Sequence, residues 1–234
     1  MVIEKGPGVN AGPFFMKIVI PYKDFNGPEL RYTLRGIELF IEDPEITIIG
    51  DLPAWVKNVD HIPYNDNPEL RFKERNIFEK LLLYNHDFLF FNDDHFLLEP
   101  FSKSTYHYSG MLSENILQPG NHFRATIKNT LDCFGEIKNY FRHSPLFIER
   151  GKLEIIRDLD WNKEWGYCIK SIYAFLHSIE GEDYPDLKIR THHTYAAIKK
   201  LIEYRPYFST GNYAINSDMI KVLEELYPKK SIYE

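Results

Sequence analysis

Apolar positions along this chain alternate between short unbroken runs and stretches spaced for one face of a helix. Residues 17–22 (KIVIPY) form an apolar run of the kind expected from a strand buried on both faces, and Pro21 with the polar turn DFNG ends it. Across 28–41, Leu30, Leu34, Ile37 and Ile41 recur at helical spacing, with Pro28 near the first turn. EITIIG, closed by Gly50, predicts a second strand, and residues 59–62 a short third one after a loop containing Pro53. Helical spacing returns over 69–84 through Phe72, Ile77, Leu81 and Tyr84. HDFLFFNDDHFLL then predicts a strand of continuous apolar character that runs into polar residues.

Strands alternating with helices in this order predict an α/β fold with a mostly parallel central sheet, right-handed crossovers and flanking helices. Ligands on such sheets sit beyond the carboxyl ends of the strands, and the acidic residues at 92–95 fall at one such end. Past residue 100 the pattern is weaker. STYHYSG is a candidate edge strand, and Asn121 a candidate cap for a helix reaching Phe134, with Phe123, Ile127 and Leu131 in step. Residues 149–157, 164–179 and 194–204 are helical in pattern, and DLKIR is a strand. Asn216 is placed to cap a last helix that Pro228 stops. Residues 1–15, rich in Gly and Pro and without period, are expected to be a leader or flexible arm. That leaves 16–234 as a single domain, without internal repeat or low-complexity tract.

The bulk numbers narrow the function classes. A chain of 234 residues that is 44% apolar can bury a substantial core. No apolar run approaches the roughly 18 residues that a membrane-spanning helix needs, and the start lacks the basic-then-apolar order of a secretory signal. Two cysteines, Cys133 and Cys168, make no disulfide framework, so a reducing, cytoplasmic setting is the expectation. A net charge of −6 provides no general attraction to nucleic acid or to an anionic membrane, although a local basic groove stays open. Sixteen Tyr, seventeen Phe and three Trp suit either a Phe-rich core or a cleft that stacks sugars or bases.

Asn92-Asp93-Asp94-His95 is the strongest local candidate for chemistry. Two neighbouring carboxylates raise each other's pKa. A hard divalent cation relieves that repulsion, and Mg²⁺ or Mn²⁺ sites are commonly completed by substrate phosphates. A strand-end turn with solvated acids is the other reading. Zinc-ligand spacing, a Walker-type loop, a dinucleotide fingerprint and a serine-hydrolase elbow are all missing.

Three segments, ELRYTLRGIE, EITIIGDLPAW and FLFFNDDHFL, resemble the amino-terminal half of GT-A-type glycosyltransferases. The resemblance is more specifically to the Stealth capsular-polysaccharide transferases and to related small enzymes of phages and gut bacteria. RHSPLFIERGKL is similar to their His-x-Pro segment, and IKSIYAFLHSIEGEDYPDLKIR to their later helix and Asp-x-Lys strand. YFSTGNYAINSDMIKVLEELYPKKSIYE is similar to their carboxyl-terminal helix, so scattered blocks cover 16–234. The resemblance implies a GT-A-like fold and a metal-dependent transferase, using Mn²⁺ or Mg²⁺ to move a sugar from a nucleotide-diphosphate sugar to an acceptor hydroxyl on a glycan or on a hydroxymethylated base in phage DNA.

Carried onto this sequence, the resemblance makes Asp94 the direct metal ligand. Asp93 becomes a second ligand or a contact to the ribose or donor sugar, while Asn92 stands where many relatives have an acid. A later histidine would complete the metal site, with His192, His193 and His143 as candidates, each of which could instead be a hydrogen-bonded structural residue. Pro21, Tyr22 and Lys23 would receive the nucleotide, Tyr22 by stacking and Lys23 at phosphate, and Asp51 would accept from base or ribose. Arg31 and Arg35 on the first helix, and Lys73, Asn76 and Lys80 on the helix before the acidic turn, would face the donor or merely form solvated helix faces. Asp186 is the first candidate for the base that deprotonates the acceptor, followed by His143, Glu180 and Glu182.

Three alternatives remain. A Stealth-type hexose-1-phosphate transferase would release a nucleoside monophosphate. An enzyme glycosylating hydroxymethylated bases in phage DNA would use the locally basic stretches KNTLDCFGEIKNYFRH and KIRTHHTYAAIKKLIEYR. A sugar- or nucleotide-binding module without activity is the third.

Overall fold

The structure, a computed structural model, describes residues 16–101, 106–116, 121–140, 143–186 and 188–234. The first half contains β1 (Met16–Tyr22), α1 (Glu29–Phe40), β2 (Pro44–Gly50), β3 (Asp60–Ile62), α2 (Lys73–Leu83) and β4 (Phe88–Phe90). After the acidic residues come β5 (His95–Leu97), β6 (His107–Tyr108), α3 (Asn121–Phe134), β7 (Leu146–Ile148), α4 (Arg150–Leu153) and α5 (Ile169–Leu176). The chain finishes with β8 (Glu182–Asp183), β9 (Lys188–Ile189), α6 (Tyr195–Ile202), β10 (Tyr207–Thr210) and α7 (Ser217–Leu226).

Five strands form the central sheet in the order β3-β2-β1-β4-β7, all parallel except β7, which runs antiparallel to β4. This is the mostly parallel sheet flanked by helices that the alternating pattern predicts. β1 and β2 pair along their whole length, from Met16↔Pro44 to Tyr22↔Gly50. Both faces of β1 are buried, which explains its continuous apolar run. Val19 packs with Phe78 and Leu81 of α2, while Ile18 and Ile20 pack with Leu30, Leu34 and Ile37 of α1. A second sheet, β5-β10-β9, is closed by a cluster in which Phe96 and Phe208 meet Ile198 of α6 and Met219, Val222 and Leu223 of α7.

Gly50, at the end of β2, has φ +124°, and a Cβ there would lie 2.0 Å from the Tyr22 carbonyl oxygen and 2.8 Å from Lys80 Nζ. Only glycine permits the two strand ends and Lys80 to converge this closely. Among the described residues no helix is long and apolar enough to cross a membrane.

Several expectations need correction. HDFLFFNDDHFLL is two strands in two sheets, because the chain turns at the acid pair and His95 N–H reaches back to the Asn92 carbonyl at 3.4 Å. The helix expected over 164–179 covers only Ile169–Leu176. Trp165 (φ 69°) and Gly166 (φ 53°) are left-handed, and Asn129 Nδ2 takes the carbonyls of Glu164 and Gly166 that a helix would have used. Over 149–157, a single turn of α4 passes into a 3₁₀ segment at Glu154–Asp158. β7 and β10, three and four residues long, are too short to show a period and escape the pattern. Of STYHYSG, only His107–Tyr108 pairs as a strand, Ser104 and Thr105 lying outside the described residues. The 1–15 arm and the capping side chain of Asn121 also lie outside them. Asn216 does cap α7, its Oδ1 accepting from Met219 N–H at 2.8 Å, and α7 ends before Pro228.

Candidate active site

β1 and β4 are neighbours, but the chain leaves β1 toward β2 and β3 on one side and returns to β4 on the other. Their carboxyl ends therefore flank the switch point of the sheet, where α/β folds open a crevice. Asp93 and Asp94 leave β4 at that point. Thr33 of α1 fastens their turn, its hydroxyl donating to the Asp93 carbonyl at 2.7 Å with the His95 carbonyl at 3.3 Å.

The second sheet brings the counter-charge. Ser209 of β10 pairs with His95 on one side and with Lys188 on the other, so β9 lies two strands from the acidic turn. From there Lys188 Nζ reaches Asp94 Oδ2 at 2.9 Å, in a pair whose side chains are only 18% and 13% exposed. Burial alone would raise the Asp94 pKa; the Lys188 ammonium leads the groups that outweigh it and hold the carboxyl below its usual range. Asp93 has the opposite balance. Burial, then the charges of Asp94 and Glu29, push it up to about 7, against a weaker pull from Lys73. Glu29, on the first turn of α1, is itself raised by burial and by Asp94.

Two histidines line the same region. His95 is fully buried, and its Nδ1 accepts the Asn92 backbone N–H at 3.2 Å, which leaves the proton on Nε2. Burial and the neighbouring Lys170 keep that ring neutral. His143 Nδ1 lies 3.2 Å from Asp186 Oδ1, and Arg190 approaches the same carboxylate at 3.9 Å. Burial and Lys188 lower the His143 pKa, so its imidazole is neutral near pH 7. Lys170, nearly fully buried, donates to the Ser144 carbonyl at 2.6 Å, and its pKa falls to about 7 through burial.

The other residues singled out from the sequence scatter. Pro21 is half-buried in β1, and Lys23 sits 6.0 Å above the Phe25 ring. Tyr22 has its ring in the core at 3% exposure, so it presents no open stacking face; its hydroxyl donates to Asp24 at 3.1 Å, near Asp93. Asp51 is exposed and accepts the Asp24 backbone N–H at 2.9 Å. Arg31 lies over Trp55 at 4.8 Å and Arg35 over Tyr32 at 5.1 Å, and both guanidinium groups pair with Glu234.

On α2, Lys73 is exposed, but Asn76 is buried against the Asn67 backbone and Lys80 is locked to the Tyr22 carbonyl at 2.8 Å and to Asp66 at 2.9 Å. These three do not present one face to a ligand. Glu180 is an exposed surface partner of Lys138, and Glu182 is exposed in β8. His192 is exposed; His193 Nε2 lies 3.4 Å from Thr191 Oγ1. Of the three later histidines, His143 is the one that interacts electrostatically with Asp94, when its ring is protonated.

Lys188, Arg190, Glu29 and Lys170 are the members that sequence reasoning missed. Strand alternation held the first two, because Asp186, Lys188 and Arg190 are two apart and share a face of DLKIR. Two surface depressions, of about 440 and 370 Å³, lie to the side of the acidic turn and neither is lined by Asp93 or Asp94. The concentration of buried charge places the candidate site at the turn rather than in either depression. The described residues hold no group of three or more His, Cys, Asp or Glu side chains arranged for a metal ion.

No protein-family model matches the chain, and no curated protein matches it. Among solved structures it is similar to the apo form of the glycosyltransferase GlyE from Streptococcus pneumoniae TIGR4, at 10% identity and a TM-score of 0.44. That alignment covers 93% of this chain and 61% of the other, so the chain spans about six-tenths of the length of the structure it matches.

Proposed function

We propose that this protein is a glycosyltransferase that moves a sugar from a nucleotide-diphosphate sugar to an acceptor hydroxyl. One observation carries the reading: the Asp93–Asp94 turn lies at the β1/β4 switch point, with Lys188 on Asp94 and the His143–Asp186 pair beside it. The sequence blocks that resemble GT-A-type enzymes support the same reading.

The chemistry divides among these residues. An acceptor oxygen attacks the anomeric carbon, the bond from that carbon to the diphosphate oxygen breaks, and its electron pair leaves with the nucleoside diphosphate. The acceptor's proton needs a base. With Asp186 accepting from Nδ1–H, His143 has its Nε2 lone pair available for that proton, and the carboxylate stabilises the imidazolium that forms. Lys188 contributes positive charge where the leaving diphosphate gains negative charge.

Asp94 and Asp93 are also a donor set for a divalent cation. Two adjacent hard carboxylates, one of them raised by burial and then by its neighbour's charge, fit Mg²⁺ or Mn²⁺ that draws further oxygens from a substrate diphosphate. Once bound, such an ion would add to the charge that stabilises the departing diphosphate.

A thermal-shift screen of nucleotide-sugars with and without Mn²⁺ tests the reading, followed by analysis of the released nucleotide. Stabilisation by one nucleotide-sugar and release of a nucleoside diphosphate are expected. Release of a monophosphate would replace sugar transfer by hexose-1-phosphate transfer, and a flat screen would remove the support for either.

A further inference from the structure

Beside the His143–Asp186 pair, the smaller depression is a groove walled by the rings of Phe101, His107, Tyr184, Tyr204 and Tyr207. Ser144 and Pro145, which follow His143, form part of its wall, and Tyr184 precedes Asp186 by two residues. His107 lies 4.9 Å from Tyr184 and 5.5 Å from Tyr207, and the Arg205 guanidinium covers Tyr184 at 5.2 Å. Tyr204 is 92% exposed, yet its backbone is held left-handed at φ 60°. An aromatic residue adopts that conformation only against backbone strain. Folding gains little from a ring left in water, so the strain serves no packing purpose. Two carboxylates, Glu99 and Glu182, complete the lining, and both act electrostatically on His107.

We propose that this groove is the acceptor subsite and that its occupant is an uncharged glycan chain. The inference rests on the glycosyl-transfer reading above and chooses between the acceptors that reading leaves open. Sugar rings present apolar C–H faces that pack on aromatic rings, and hydroxyls that donate to carboxylates. Bases also stack on such rings, but a nucleic acid brings phosphates that need a cationic track. Here Glu99 and Glu182 oppose them, on a chain of net charge −6. A glycan lying along the rings would direct one end toward Ser144 and hence toward His143.

The test is a panel of hexasaccharides (β-1,4-, β-1,3- and α-1,4-glucans and β-1,4-linked N-acetylglucosamine) with single- and double-stranded oligonucleotides as competitors. Binding is read by saturation-transfer NMR and calorimetry on the wild-type protein, Tyr204→Ala and Glu182→Gln. Tyr204 is almost fully exposed, so its replacement leaves the fold intact. At least one hexasaccharide is expected to bind the wild type and to bind Tyr204→Ala at least tenfold more weakly, with the melting temperature unchanged. Failure of every hexasaccharide to bind, equal binding by the Tyr204 variant, or Tyr204-dependent binding of an oligonucleotide instead would overturn the proposal. Tyr204-dependent glycan binding in a protein that never cleaves a nucleotide-sugar would uphold the glycan groove and sink only the transfer reading.

Discussion

Lys188 Nζ stands 2.9 Å from Asp94 Oδ2, and this contact ties β9 of the second sheet to the turn that leaves the central one. Breaking a largely buried pair strands the remaining charge. Lys188→Met is therefore expected to cost roughly 2–4 kcal/mol in urea denaturation. Adding Asp94→Asn should recover part of that loss, so a double-mutant cycle gives clear non-additivity. Additive losses would show that the two side chains do not interact.

Asp94→Asn keeps the shape of the turn and removes its fixed negative charge. If the acid pair holds the cation and donor, the variant stays folded but loses the thermal shift produced by Mn²⁺ with a nucleotide-sugar. Turnover should fall about 10²–10³-fold, the scale found when an electrostatic stabiliser of a transition state is removed. A variant that retains both the shift and the rate would end the role assigned to this carboxylate.

Asp186→Asn tests the carboxylate that supports His143 as proton acceptor. The amide still fills the space beside His143 Nδ1 but cannot stabilise an imidazolium. Transfer to the acceptor is expected to drop about 10²–10⁴-fold, with donor binding, read by thermal shift, within a factor of about three of wild type. A fall in donor affinity of the same size as the fall in rate would assign the pair to binding.

Glu74 of α2 is buried, and burial pushes its pKa up to about 7, with Lys73 and Lys170 opposing. Between pH 4.5 and 7 the unfolded chain loses this proton while the folded protein keeps it. Stability from this group is complete below pH 4.5 and is lost as pH rises through 7. A change of this size corresponds to about 3 kcal/mol. Glu74→Gln, which does not titrate, should gain on the wild type by up to that amount between pH 5 and pH 8. A constant difference across the range would show that Glu74 is ionised in the folded state.

Gly50→Ala would place a Cβ 2.0 Å from the Tyr22 carbonyl in a backbone conformation of φ +124°. A loss of roughly 2–4 kcal/mol is expected from strain and from displacement of Lys80. The same site holds the end of β2 beside the candidate crevice, so activity should fall with stability. A melting temperature within a degree of wild type would contradict the close approach.

Local periodicity determined the first six elements of this protein, their mostly parallel sheet and the position of the acid pair at a strand end. Those features depend on neighbours in sequence: an apolar run buried on both faces, a helix face repeating every three or four residues, an asparagine capping α7. Composition also showed an unusual supply of aromatic rings without saying where they gather.

Tertiary structure alone decided what the singled-out side chains do. Lys80, Asn76 and Arg35 have the spacing of a donor-binding face, yet each turns its polar atoms to partners outside its own helix: Asp66, Asn67 and Glu234. Asp94 and Lys188 are 94 residues apart, and His143 and Asp186 are 43 apart. The first of these meetings follows from β9 pairing with β10 and β10 with β5, strands too short to carry a period. A charge's function depends on which opposite charge lies within a few ångströms and how much water is excluded between them, and neither quantity is local in sequence.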